Sequence, residues 1–156
     1  MTIITCLWFQ KDLKDALDRY TSLFPDSEMH SLQRVGEMAD EVWLADWRMN
    51  GTEFRAICQR SEFSLNESAS LSVTCADQAE VDRYWDGLIA GGGEESMCGW
   101  LKDPGGLSWQ IVPQRLTELM GDPDPRRAQA ATQAMLQQRR IIIAELEAAA
   151  DAAATS

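Results

Sequence analysis

Val42–Cys58, VWLADWRMNGTEFRAIC, is the stretch on which the fold turns. Two runs rich in apolar and aromatic residues, Val42–Met49 and Thr52–Cys58, flank Asn50-Gly51, the dipeptide best suited to the positive φ angles of a tight type I′ turn. The stretch reads as a β-hairpin. Working back towards the start, Met29–Val35 is a further strand candidate. Before it, Leu13, Ala16, Leu17, Tyr20 and Phe24 recur at helical spacing until Pro25 stops the run. Ile3–Phe9, β-branched and aromatic at its centre, is a strand. The first half is therefore strand, helix and three strands.

The second half repeats that order. In Ser70–Cys75, Leu71, Val73 and Cys75 alternate with Ser70, Ser72 and Thr74, which predicts a strand with one apolar and one polar face. A helix follows over about Asp77–Ala90, with Val81, Tyr84, Trp85 and Leu88 on one side, and Gly91-Gly92-Gly93 breaks it. Cys98–Lys102 and Leu107–Val112 then flank Asp103-Pro104-Gly105-Gly106, a second hairpin with turn residues at its tip. Asp18-Arg19-Tyr20 and Asp82-Arg83-Tyr84 echo one another, a residue out of register. After Pro113 the composition changes. Asp122-Pro123-Asp124-Pro125 reads as a linker and helix start, with Asp124 as N-cap and Pro125 at the first helical position. A single helix is expected from about Arg126 to Ala150, with Met135, Ile142 and Leu146 near one stripe and Leu136 and Ile143 beside it. That stripe would pack on its own sheet or lie across a partner subunit.

Composition limits the partners. The 156 residues are 45% apolar and 25% charged with six tryptophans, which suits a packed domain and not a disordered chain. A formal charge of −11 repels phosphate backbones and anionic lipids, so neither nucleic acid nor membrane is an expected partner. Met1–Phe9 is too short for the hydrophobic region of a signal peptide, and no run approaches the ~20 apolar residues that span a bilayer, so a cytoplasmic location is expected. Cys6, Cys58, Cys75 and Cys98 lie far apart with no Cys-x-x-Cys. With His30 the single imidazole, they form no structural zinc signature and are expected as free thiols.

Cys98-Gly99-Trp100-Leu101-Lys102-Asp103 followed by Gly106-Leu107-Ser108-Trp109-Gln110-Ile111-Val112-Pro113 closely resembles the C-terminal signature of PhnB-like proteins. These form a branch of the vicinal-oxygen-chelate (glyoxalase/bleomycin-resistance) superfamily. Leu7-Trp8-Phe9 leading to Tyr20–Ser27, Ala69–Val73, and Asp122–Pro125 before Gln133–Leu136 are similar to it as well. The resemblance implies an α+β fold of two βαβββ modules, residues 1–62 and 68–116, whose curled mixed sheets surround a cleft. They would form a glyoxalase-like domain over 1–120, with the long C-terminal helix and tail over 121–156, and assembly as a homodimer. One departure is the loop Cys58-Gln59-Arg60-Ser61, where relatives often carry Asn-Gly-Gly-Pro.

Superfamily members that use a metal take His, Glu or Gln ligands from the first and last strands of each module. Matching strands puts Thr5, Ala56, Ser70 and Gln110 at those positions, a set with one amide and no imidazole, carboxylate or thiolate, so neither metal nor cofactor is expected. The same matching turns Thr5, Leu7 and Phe9, then Phe54, Ala56 and Cys58, towards the cleft, with Ser72, Thr74, Ser108, Gln110 and Val112 from the second module. The residues singled out as lining it are Thr5, Phe9, Cys58, Ser72, Thr74, Trp100 and Gln110. Their mixture of aromatic, hydroxyl and amide groups suits a small, partly polar organic molecule. The function read from this is metal-independent small-molecule binding. The alternative is an enzyme on a small substrate, in line with the family's label of 3-demethylubiquinone-9 3-methyltransferase, and a third reading is a dimeric interaction protein with a vestigial cleft. No histidine stands near Cys58 or Cys98 to activate a thiol. The glycine run Gly91-Gly92-Gly93 follows a helix and not a first strand, unlike the usual S-adenosylmethionine turn.

Overall fold

A computed structural model of the chain describes residues 1–35 and 42–155. It is an α+β fold with five helices and two open four-stranded mixed sheets among the described residues. Two compact units divide it: Met1–Ala69 with Pro104–Leu107, and Ser70–Asp103 with Ser108–Ser156.

The first unit runs β1 (Thr5–Phe9), α1 (Leu13–Leu23), β2 (Glu28–Val35), β3 (Val42–Met49) and β4 (Thr52–Cys58), with sheet order β1-β4-β3-β2. The hairpin read from the sequence is β3–β4. Asn50 and Gly51 take φ of 46° and 75°, the paired left-handed angles of its turn. β1 joins β4 in parallel, Leu7 beside Ala56 and Phe9 beside Cys58. Side chains alternate across a strand, so register fixes which of them share a face. Leu7, Phe9, Ala45, Trp47, Phe54 and Ala56 share one and are buried. α1 packs on that face through Leu13, Ala16, Leu17 and Tyr20. The Tyr20 and Trp47 rings are 6.5 Å apart, and Trp47 stacks on Phe54 at 5.3 Å.

This corrects the facing expected for β1 and β4. Thr5, Leu7 and Phe9, with Phe54, Ala56 and Cys58, lie on the helix-covered side. The opposite side carries Cys6, Trp8, Arg55 and Ile57. Thr5–Phe9 has apolar residues in both phases of its alternation, so period two left the choice of face open, and the packing of α1 makes it.

The second unit runs β5 (Ser70–Cys75), α2 (Gln78–Ile89), β6 (Glu94–Glu95), β7 (Trp100–Lys102) and β8 (Ser108–Pro113), with sheet order β5-β8-β7-β6. Here the polar alternation was unambiguous, and the facing agrees with it. Leu71 beside Trp109 and Val73 beside Ile111 lie with Cys75 and Leu101 on the side that receives Val81, Tyr84, Trp85 and Leu88 of α2. The Asp77 carboxylate accepts from the Glu80 amide at 2.9 Å, and the Glu80 carboxylate accepts from the Ala76 amide at 2.7 Å, a reciprocal cap at the start of α2. At its end, a Cβ on Gly93 would stand 2.6 Å from the Lys102 carbonyl oxygen, so only glycine lets the chain pass beside β7.

The tail departs from expectation. In place of one helix over about 126–150 there are α3 (Gln114–Met120), α4 (Pro125–Met135) and α5 (Ile143–Ala154). Asp124 caps α4 with Pro125 behind it, as read. The break at 136–142 has identifiable causes. The Gln138 side chain accepts from the Ile142 amide at 3.0 Å and donates to Glu145 at 2.8 Å. The Gln138 and Arg139 carbonyls accept from the Cys98 and Gly99 amides at 2.7 and 2.8 Å. Arg140 pairs with Asp82 and Asp86 and lies over the Trp85 ring. Gln78 of α2 donates to the Ile141 carbonyl and accepts from the Ile143 amide. The β-branched run Ile141-Ile142-Ile143 also weakens a continuous helix. The apolar stripe meant for a long helix is used within this unit, where Leu116, Leu119, Ala131, Ile141, Leu146 and Ala150 form one buried cluster.

Candidate functional site

The face of the β5–β8 sheet turned away from α2 is built from short polar side chains. Pairing sets Ser70 beside Ser108, Ser72 beside Gln110 and Thr74 beside Val112, with Trp100 of β7 on the other flank of Gln110. Ser72 and Thr74 are exposed, while Trp100 and Gln110 are half-buried. The Gln110 amide nitrogen donates to the Ser70 hydroxyl at 2.8 Å. That bond fixes the amide plane and leaves its oxygen as an acceptor. Ser108 is 1% exposed, and its hydroxyl has no hydrogen-bond partner among the described residues. Buried hydroxyls normally have one.

Four of the residues singled out from the sequence, Ser72, Thr74, Trp100 and Gln110, are thus brought onto one face. Thr5, Phe9 and Cys58 belong to the first unit's helix-covered face. Phe9 is fully buried there, Thr5 is exposed at the start of β1, and Cys58 is buried at the end of β4. Burial raises the Cys58 thiol above its ordinary range, against a weaker lowering by a hydrogen bond from the Leu13 amide. The thiol is neutral at neutral pH.

The sequence reading missed the other face of the first sheet. Asp46 and Arg55 form an ion pair there at 2.8 Å, and the Trp8 indole donates to the Gln59 carbonyl at 3.0 Å. Phe63 packs edge-on to Trp8 at 5.4 Å. The available signal was the second phase of Thr5–Phe9, in which Cys6 and Trp8 alternate with the core residues. His30, the single imidazole, lies exposed on β2 with its ring 3.2 Å from the Glu53 carboxylate.

The donor set does not fit the metal that the superfamily resemblance implies. Ala56 offers no donor atom, Thr5 lies on the α1 side, and Ser70 and Gln110 are engaged with one another. The opposite phase of β1 and β4 presents Cys6 beside Arg55, whose guanidinium repels a cation. Among the described residues no three His, Cys, Asp or Glu side chains come together as ligands.

The architecture is the α+β fold expected from the resemblance to the vicinal-oxygen-chelate superfamily. The chain belongs to the 3-demethylubiquinone-9 3-methyltransferase (PhnB-like) family, whose sequence model matches residues 1–112. A PhnB protein of Bacillus cereus, which carries that methyltransferase name, is 31% identical over 72% of this chain and 99% of its own, with a TM-score of 0.61. The fosfomycin resistance protein FosX of Listeria monocytogenes is 14% identical over 72% of this chain and 90% of its own, with a TM-score of 0.55. A mutant of FosX complexed with Mn(II) and 1S,2S-dihydroxypropylphosphonic acid is 15% identical over the same shares, with a TM-score of 0.51. The FosX likenesses show the fold alone. No curated protein matches the chain.

Proposed function

We propose that the protein binds a small organic molecule without a metal, on the face formed by Ser70, Ser72, Thr74, Ser108 and Gln110. The observation that carries this reading is the half-buried Gln110 amide, oriented by its bond to Ser70 and set beside the exposed Ser72 hydroxyl. Trp100 supplies an aromatic surface at the edge of the same face. Metal independence is supported by the donor chemistry at the implied ligand positions.

The family name favours a second reading, methyl transfer from S-adenosylmethionine. Against it, β1 leads into α1 through Gln10-Lys11-Asp12, with no glycine-rich turn to receive that cofactor. The proposed setting is the cytoplasm, in keeping with four free cysteines, and the proposed assembly is a two-fold dimer, for which the exposed Met29, Val35 and Phe63 are apolar surface to cover. No described helix is long and apolar enough to cross a membrane.

The test is a thermal-shift screen of EDTA-treated protein against small organic metabolites, with S-adenosylmethionine included, followed by titration of each hit. Gln110→Leu should weaken a hit by about 1–2 kcal/mol, the scale of one or two neutral hydrogen bonds, with little loss of fold stability. Hits that appear only after manganese or zinc is restored would overturn metal independence. Unchanged affinity in the mutant would remove this face from the site.

A further inference from the structure

The first unit contains a cavity of about 570 Å3 at the start of α1. Its apolar wall is made by Leu13, Leu32, Trp43 and Cys58, contributed by α1, β2, β3 and β4. Trp43 and Cys58 are register partners on neighbouring strands, so indole and thiol stand side by side on the α1 face of the sheet. Leu13 and Cys58 are buried, and Leu32 and Trp43 half-buried. Tyr20, Trp47 and Phe54 use their rings on one another in the core. The Trp43 ring, by contrast, meets no other ring and its N–H no acceptor among the described residues.

Charge at the rim runs against the charge of the whole. Lys11, Lys14 and Arg60 face two carboxylates, Asp12 and Asp15, in a chain of formal charge −11. Lys11 is within 3.5 Å of Asp12, and Lys14 pairs outward with Asp18 at 2.5 Å. Arg60 has no ion pair among the described residues. It stands in the loop after β4.

We propose that this cavity is a binding site for a small aromatic carboxylate, separate from the Gln110 face and sharing no residue with it. The flat body lies on Trp43 between Leu13, Leu32 and Cys58, and the carboxylate meets the Arg60 guanidinium, whose planar fork matches a carboxylate's two oxygens. The volume lies within the 300–1,000 Å3 typical of small-molecule sites, which leaves room for a two-ring acid. The neutral Cys58 thiol serves as apolar wall, and no covalent step is involved.

The experiment is isothermal titration of the full chain with 2-naphthoate and with its neutral counterpart 2-naphthamide. The acid should bind more tightly than the amide. Arg60→Gln should weaken the acid by about tenfold or more, the scale of one charge-assisted pair, and leave the amide unchanged. Trp43→Leu should weaken both, with Trp43→Phe restoring most of the affinity and showing that the aromatic face, not the fold, is what was lost. Gln110→Leu should change neither, so this site and the Gln110 face succeed or fail independently. Equal affinity for acid and amide, indifference to Arg60→Gln, loss in Gln110→Leu, or no heat from 2-naphthoate at millimolar concentration would each overturn the proposal.

Discussion

Cys75 shows how much a single environment changes a side chain's chemistry. It is fully buried at the end of β5, and burial first, then the charges of Glu80 and Asp77, push its thiol up to about 12. Above pH 9 the thiol ionises in the unfolded chain while the folded one keeps its proton. Stability therefore falls as pH rises, by up to about 1.4 kcal/mol per pH unit until the folded group also titrates. Urea unfolding at pH 8 and pH 10 should show wild type losing roughly 1 kcal/mol more than Cys75→Ala over that interval. An equal loss in both would show that Cys75 is not the linked group. Cys6, exposed on β1, should react first with a thiol reagent, and Cys75 only on unfolding. The same scale marks where sequence reading stops. Ser70–Cys75 declared its faces because hydroxyls and apolar groups alternate strictly. Thr5–Phe9 could not, because Leu7, Trp8 and Phe9 are consecutive large apolar residues. A choice of one phase moved Thr5, Phe9 and Cys58 to the wrong side of the sheet.

Among the elements, those carrying local chemistry were legible. Asn50-Gly51 settled the β3–β4 turn without any long-range information, and the Asp77 start of α2 was visible as a helix N-terminus. Asp77→Ala should cost about 1 kcal/mol in chemical denaturation, the usual worth of an N-cap, and Asp77→Asn should restore most of it. Loss in both variants would mean that the carboxylate's charge, not its capping bond, matters. The tail was misread because its apolar spacing allows a continuous helix. The partners that stop it, Cys98, Gly99, Gln78 and Asp82, lie more than thirty-five residues away in sequence. Ile141 is the hinge of that arrangement. It is fully buried, and its side chain would stand 3.2 Å from a Cβ placed on Gly99. Ile141→Ala should therefore destabilise by about 2–4 kcal/mol, as large-to-small changes in a packed core do. A cost under about 0.5 kcal/mol would show that the segment between α4 and α5 is not docked.

For the whole molecule, the family match ends at residue 112, inside β8, and α3, α4 and α5 follow it. The buried stripe of Ile141, Leu146 and Ala150 packs within the second unit, so it is not the surface through which two chains would meet. If the protein is a dimer as proposed, light scattering of a chain ending at Pro113 should still give twice the chain mass wherever it remains folded. Its melting temperature should lie below that of the full chain. A monomer from a truncated chain with an unchanged melting temperature would return the dimer contact to the tail.

The bonds from Cys98 and Gly99 to the carbonyls of Gln138 and Arg139 have a further consequence. The two amides precede the three-residue β7 in a turn where Cys98 and Gly99 take φ of 61° and 81°, and carbonyls of the tail accept from both. A chain without the tail would leave those two donors without these acceptors. The segment between α4 and α5 thus acts as a clasp on the turn that leads into β7. Amide hydrogen exchange at Cys98 and Gly99 should report how often that clasp opens, slowing only as far as the tail's own opening allows.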